Sequence, residues 1–306
     1  MTGFISKLDS KQRVNLSEYA QETIESDLVD FEGDKPAFSH AVSKVFLIYN
    51  RYAKHDAETV QKYTKTKPRV YIKQAPRLQN EVVRIIEKNE EILNRNYDGI
   101  VGKYVKSVIE QYAELPYLER EQVYFADIVR LLEAGIRNSE RLLIETDEGS
   151  FLIRPYLILS DRLSTYNYLA CYSKSAEGNE DDVNVFRISR IERVAGAGED
   201  GTLADHEKDF IKSAIEKRGL PFLRNETKEI IIRLTANGKI LYSNLIQNRP
   251  IYDSNDGDIY TFICTESQAK FYFFKFGADA EVIEPESLRR QFAEMYISAS
   301  GLYTSS

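Results

Sequence analysis

The chain contains no tryptophan, two cysteines, two methionines and three histidines among 306 residues, and each shortage removes a class of chemistry. Cys171 and Cys264 both lie inside apolar, strand-like runs, so neither a disulfide framework nor a thiolate metal site is expected. Two small buried hydrophobes are expected instead. His40, His55 and His206 stand outside any HxxxH or HExxH spacing, which leaves no visible equipment for metal-assisted hydrolysis. No run approaches the roughly 18 apolar residues of a membrane span, and the opening MTGFISKLDSKQR lacks the apolar stretch of a signal peptide. A cytoplasmic protein is expected. Catalytic motifs are missing too. No serine sits in a nucleophile elbow, and GAGEDG at 196–201 lacks the strand-to-helix setting of a phosphate loop. In DSNDGD at 253–258, Gly257 comes one place too early for an EF-hand and Cys264 stands where its closing Glu would be, so a hairpin turn is expected. The expectation is no enzyme, no cofactor and no metal.

What the chain does have is a balance suited to packed cores, 42% hydrophobic and 29% charged, in a length that calls for more than one domain. Its net charge is -7. Nonspecific affinity for nucleic acid scales with the phosphates neutralised, so any such binding must come from positive charge gathered locally. Twenty tyrosines and 15 phenylalanines can serve equally as base-stacking surfaces or as core.

KQRVNLS at 11–17 alternates with period 2, placing Val14 and Leu16 on one face of a short strand and Lys11, Arg13 and Asn15 on the other. Ser17 is a candidate cap for a helix with the apolar stripe Tyr19, Ile24, Leu28 and Phe31, ended by Gly33. A second helix is predicted from Pro36–Ser39 through Tyr49. A strand and two short helices cannot bury enough surface alone, and dimerisation would solve that. The basic KYTKTKPRVYIK at 62–73 reads as a linker, either a solvated hinge or a supplementary nucleic-acid contact. Helical periodicity returns at 78–95 and 100–113. From about 121 a helix (QVYFADIVRLLEAG) leads into strand-like runs RLLIET, SFLIRPYLILS, TYNYLACYS and NVFRISRIERV, with turns at Gly149 and SAEGNEDD. A helix at 203–218 precedes strands EIIIRLT, YTFICT and KFYFFKFG and a closing helix near Pro285. The fold class expected is α+β.

RPYLIL (154–159), YNYLACY (166–172) and VFRISRI (185–191), in that order, resemble the WYL family, with Asn167, Tyr168 and Leu169 at the naming triplet and no Trp there. FKFGADAEVIEPESLRRQF (274–292) is similar to that family's C-terminal extension, and RVNLSEYAQETIESDL with KPAFSHAVSKVF resembles a ribbon-helix-helix module. The resemblance implies four parts: a ribbon-helix-helix-like module at 1–62, a helical linker at 63–120, an Sm-like β-barrel WYL domain at 121–200, and an α+β extension, used for dimerisation, at 201–306. It implies a homodimer whose strands pair between protomers into a ribbon that enters the DNA major groove. Lys11, Arg13 and Asn15 would read bases, and the helix end near Phe38 and Ser39 would hold phosphate. It also implies a basic, aromatic-lined pocket for a nucleotide or oligonucleotide effector at Arg154, Tyr156, Tyr168, Arg187 and Arg190.

Chemistry supports that set on its own terms, because Arg is bidentate towards phosphate and stacks on bases while Tyr offers a π-face. Arg187 and Arg190 are three apart, so on a regular strand they point to opposite faces and share a pocket only if a bulge or the strand end turns one. Arg154, Tyr168 and Arg187 therefore rank first; pairing of these arginines with acidic neighbours such as Glu145 or Glu192 is the structural alternative. Two functions follow from the resemblance. One is a ligand-responsive dimeric transcription regulator. The other is an RNA-binding accessory protein that modulates an RNA-targeting CRISPR effector in antiviral defence. A scaffold with decayed nucleic-acid surfaces is a third possibility.

Overall fold

The computed structural model describes residues 11–33, 37–63, 69–73, 84–85, 88–163, 165–174, 181–223 and 227–304. They fall into two compact units, Met1–Arg130 with Ile188–Arg190, and Leu131–Arg187 with Ile191–Ser306. The first unit holds β1 (Lys11–Asn15), α1 (Glu18–Glu32), α2 (Phe38–Tyr49), α3 (Ala57–Tyr63), β2 (Arg69–Lys73), α4 (Glu90–Tyr97), α5 (Val101–Ala113) and α6 (Tyr117–Tyr124). α1 starts as its sequence dictates: the Ser17 hydroxyl accepts from the Ala20 amide, Ala20, Ile24, Leu28 and Phe31 are buried, and Gly33 ends the helix at φ 68°. α5 is the axis of the unit. Tyr104–Ala113 are all buried, and the helix touches α1, α2, α3, α4 and β1.

Burial on every side forces the polar residues of α5 to find partners inside the protein. Glu110 accepts from the Ser17 amide and hydroxyl at 2.5 and 2.6 Å, and Gln111 brackets the backbone of Lys54. The strand β1 does not wait for a second protomer. It pairs antiparallel with β2 of the same chain, Lys11 opposite Lys73, Arg13 opposite Tyr71 and Asn15 opposite Arg69. The segment read as a linker thus supplies a strand at 69–73 that pairs with one edge of β1 inside the chain. Residues 64–68 of that segment, Pro36, Pro76, positions 78–83 and 86–87 of the helix expected at 78–95, and most of SAEGNEDD lie outside the described residues.

The second unit begins within α7 (Ala126–Asn138), which is separate from α6, so the single helix expected across 122–135 is two. Five strands follow: β3 (Glu140–Thr146), β4 (Gly149–Asp161), β5 (Tyr166–Lys174), β6 (Asp181–Arg187) and β7 (Ile191–Asp200). All pair antiparallel in the order β6-β5-β4-β3-β7. The expected barrel is not closed among the described residues. The chain leaves β6 at Arg187 through the 3-10 turn Ile188–Arg190, and β7 pairs with β3 instead of β6.

After α8 (Asp205–Arg218) comes β8 (Lys228–Leu234), α9 (Ala236–Asn244), β9 (Tyr252–Asp256), β10 (Ile259–Cys264), α10 (Glu266–Phe273), β11 (Ala280–Glu284) and α11 (Glu286–Thr304). The β-α-β-β-α-β sequence with strand order β11-β8-β10-β9 is the split βαβ, ferredoxin-like arrangement. Ile230, Ile232, Phe262, Tyr272, Phe273 and Phe292 are among its core. DSNDGD forms the β9–β10 hairpin, with Gly257 at φ 61°. KFYFFKFG, expected as a strand, is instead the end of α10 and a 3-10 turn at Phe274–Asp279. The Thr265 hydroxyl caps α10 by accepting from the Gln268 amide at 3.0 Å, and Tyr272, Phe273 and Phe276 bury the helical face. Both cysteines are buried, and burial pushes the Cys264 thiol up to about 12.

Candidate nucleic-acid interface

Alternation along β5 sets Tyr166, Tyr168, Ala170 and Tyr172 on one face and Asn167, Leu169, Cys171 and Ser173 on the other. The register adds Arg154 opposite Tyr172 from β4, and Val183, Val185 and Arg187 opposite Tyr172, Ala170 and Tyr168 from β6. Tyr156 is the extra residue where the β4 register shifts between Pro155 and Leu157. Four of the five expected ligand residues therefore come from one sheet. Arg190 does not join them: it is exposed, in the 3-10 turn that belongs to the other unit.

The middle of this face is not an open pocket. Tyr168, Ala170 and Tyr172 pack with Leu203, Ile211 and Ala214 at and before α8 and with Leu220 and Leu223 beyond it, and Tyr156, Tyr166, Val183 and Val185 flank them. Tyr168 is only 9% exposed. Chemistry is left at the two ends of the tyrosine row. At one end the Arg187 guanidinium lies 3.2 Å from the centroid of Tyr166, and Tyr166 meets Tyr168 edge-on at 6.5 Å. Both Arg187 and Tyr166 are half-buried, a cation held on an aromatic face at the end of a sheet.

At the other end Arg154 stacks over Tyr172 at 5.0 Å and forks onto Glu207 of α8, Nη2 to Oε1 at 2.7 Å and Nη1 to Oε2 at 3.1 Å. The same carboxylate accepts from the Ala204 amide at 2.8 Å, closing the first turn of α8. The Arg154 guanidinium holds the Glu207 carboxyl below the usual carboxylate range, against the smaller opposing effect of burial. The Tyr172 hydroxyl donates to the Glu207 carbonyl. Lys212, further along α8, is held above the usual range by Tyr156 first and then Asp209. Arginine pairing with an acidic neighbour thus occurs at Arg154, with Glu207 rather than Glu145; Glu145 pairs with Arg193 at 3.5 Å.

Of the residues expected at the N-terminal module, Asn15 is exposed on β1. The side chains of Lys11 and Arg13 lie outside the described part of the structure. Ser39 is in the first turn of α2, where its carbonyl accepts from the Ser43 hydroxyl at 2.8 Å; the N-cap residue Ala37 has no side chain able to cap. The sequence reading passed over Tyr166, Tyr172, Glu207 and Lys212. The tyrosines carried a signal, their period of 2 with Tyr168. Glu207 carried almost none, since a glutamate three residues after an alanine does not look like a capping box.

No protein-family model and no curated protein matches the chain. Among solved structures, a proteasome accessory factor, PafBC of Arthrobacter aurescens, superposes with a TM-score of 0.33 at 17% identity over 78% of this chain and 37% of that one, too loosely to bear on the fold. A protein described as CRISPR Cas-related is similar over 96% of this chain and 94% of its own, with a TM-score of 0.77 and 21% identity, so the α+β architecture is shared along nearly the whole length.

Proposed function

We propose that the chain is a non-catalytic, RNA-binding accessory protein of a CRISPR-type defence system, holding single-stranded RNA at the Tyr166–Arg187 end of the five-stranded sheet. The observation that carries this reading is the guanidinium of Arg187 held over the ring of Tyr166 beside Tyr168, a combination suited to a phosphate and an unstacked base together. The nearly full-length similarity to a CRISPR Cas-related protein and the resemblance to the WYL family support the biological setting. The homodimer implied by the resemblance belongs to the same proposal, and sedimentation equilibrium checks it.

Titration of labelled single-stranded RNA and duplex DNA at two salt concentrations tests the reading. Arg187→Ala is expected to weaken RNA binding by about tenfold or more, since stacking is worth roughly 1–3 kcal/mol per base, and to lower the slope of log K against log salt by about 0.7. Preference for duplex DNA, lost on Arg13→Ala and kept in Arg187→Ala, would overturn it in favour of the ligand-responsive transcription regulator.

A further inference from the structure

Arg154 and Glu207 form a bidentate pair at one end of the tyrosine row, and nothing in that geometry is specific to a carboxylate. A phosphodiester presents two oxygens and one negative charge to a guanidinium fork in the same way. The fork is oriented by more than its anion: Arg154 lies over Tyr172 and its Nη1 faces the Thr202 carbonyl at 3.4 Å. Further along α8 the Lys212 side chain, 57% exposed, pairs with Asp209 at 3.5 Å. With side chains 13% and 19% exposed, Arg154 and Glu207 meet at the rim of the α8 contact, where one anion can replace another without a charge being stranded in the core.

We propose that Glu207 is an internal competitor, its carboxylate occupying a phosphate subsite made by Arg154 against Tyr172, from which a phosphate of bound RNA displaces it. The proposal rests on the RNA-binding reading above and deepens it. A tethered carboxylate acts at an effective concentration in the millimolar range or higher, enough to shut out free phosphate and mononucleotides. An oligonucleotide overcomes it by gripping both ends of the tyrosine row. The positions opposite Arg187 and Arg154 are four steps apart along β5, and the two arginines stand on the strands at either side of it, so their backbones are about 16 Å apart, a span that several linked nucleotides bridge and one does not. The competitor thereby makes length a condition of binding. Displacement also withdraws Glu207 from the Ala204 amide, loosening the first turn of α8 and reporting occupancy to that helix.

The test uses the full chain with hexauridylate and uridine monophosphate as probes, followed by anisotropy and calorimetry. Glu207→Gln keeps an amide oxygen for the Ala204 cap and removes the charge that competes. It is expected to bind hexauridylate at least tenfold more tightly than wild type and to gain measurable affinity for the mononucleotide, with both gains abolished in Glu207→Gln/Arg154→Ala. In the unaltered protein, saturating hexauridylate is expected to speed amide exchange at 204–208. Unchanged or weaker binding by a folded Glu207→Gln, a gain that survives loss of Arg154, or unchanged exchange at the start of α8 each overturns the proposal. If wild type binds through Arg187 while Glu207→Gln gains nothing, the competitor falls and the RNA reading stands; hexauridylate binding by neither removes both.

Discussion

Asp27 is 1% exposed, and its two oxygens are taken by Arg120 Nε and Nη2 at 2.8 and 2.9 Å and by the Tyr112 hydroxyl at 2.9 Å. Such a pair contributes less by its attraction than by the penalty of separating it, because one partner alone is an uncompensated charge away from water. Asp27→Ala is therefore expected to cost about 3–5 kcal/mol, measured by urea unfolding followed by circular dichroism at pH 7. His55 allows a prediction in pH. Its Nδ1 is 2.8 Å from the Tyr97 hydroxyl, and burial holds the imidazole below its ordinary value of 6.5. The unfolded chain then takes up the proton before the folded one does, so stability complete above about pH 6.5 is lost as the pH falls towards the lower folded value. The melting temperature should fall between pH 7 and pH 5 in wild type and fall less in His55→Gln. An equal fall in both would show that other groups govern this limb.

Among the elements, those legible in the sequence are the ones decided by their own residues. Ser17 and Gly33 bracket α1 because a cap and a left-handed stop act within one turn. The period of 2 in TYNYLACYS announces β5 for the same local reason. The elements misread are those whose state depends on a distant partner. KFYFFKFG is apolar enough for a strand, and Thr265 together with the aromatic face of the ferredoxin-like core makes it helical. In β2, Arg69–Lys73 has no conspicuous signal until β1 is laid beside it. Gly238, near the start of α9, shows the same dependence: a Cβ there would fall 2.2 Å from the Asp279 carbonyl oxygen, a backbone atom that cannot swing aside. Gly238→Ala is expected to destabilise by about 1–3 kcal/mol. Calorimetry would register this as a lower transition temperature, and an unchanged one would contradict the close approach.

The molecule as a whole has two units with separate apolar cores, one built on α5 and one containing the ferredoxin-like module. Two-state unfolding is not assured for such a chain. Asp27→Ala should lower one calorimetric transition and Gly238→Ala another; a single endotherm moved equally by both would mean that the units melt together. With a net charge of -7, the proposed RNA binding would have to be local and strongly dependent on salt, and no helix among the described residues is long and apolar enough to cross a membrane.

The amino-acid order alone pointed to the α+β class and to the run of strands between 140 and 200, which follow from periodicity and short-range chemistry, while the register that sets Tyr168 opposite Arg187 came from the fold. Only the tertiary structure decided that β1 is paired within the chain, that α8 covers the middle of the tyrosine row, and that Arg154 spends its fork on Glu207. The physical reason is separation along the chain. Those contacts join residues tens of positions apart, and a side chain carries no mark of the distant partner that will satisfy it until the fold brings the two together.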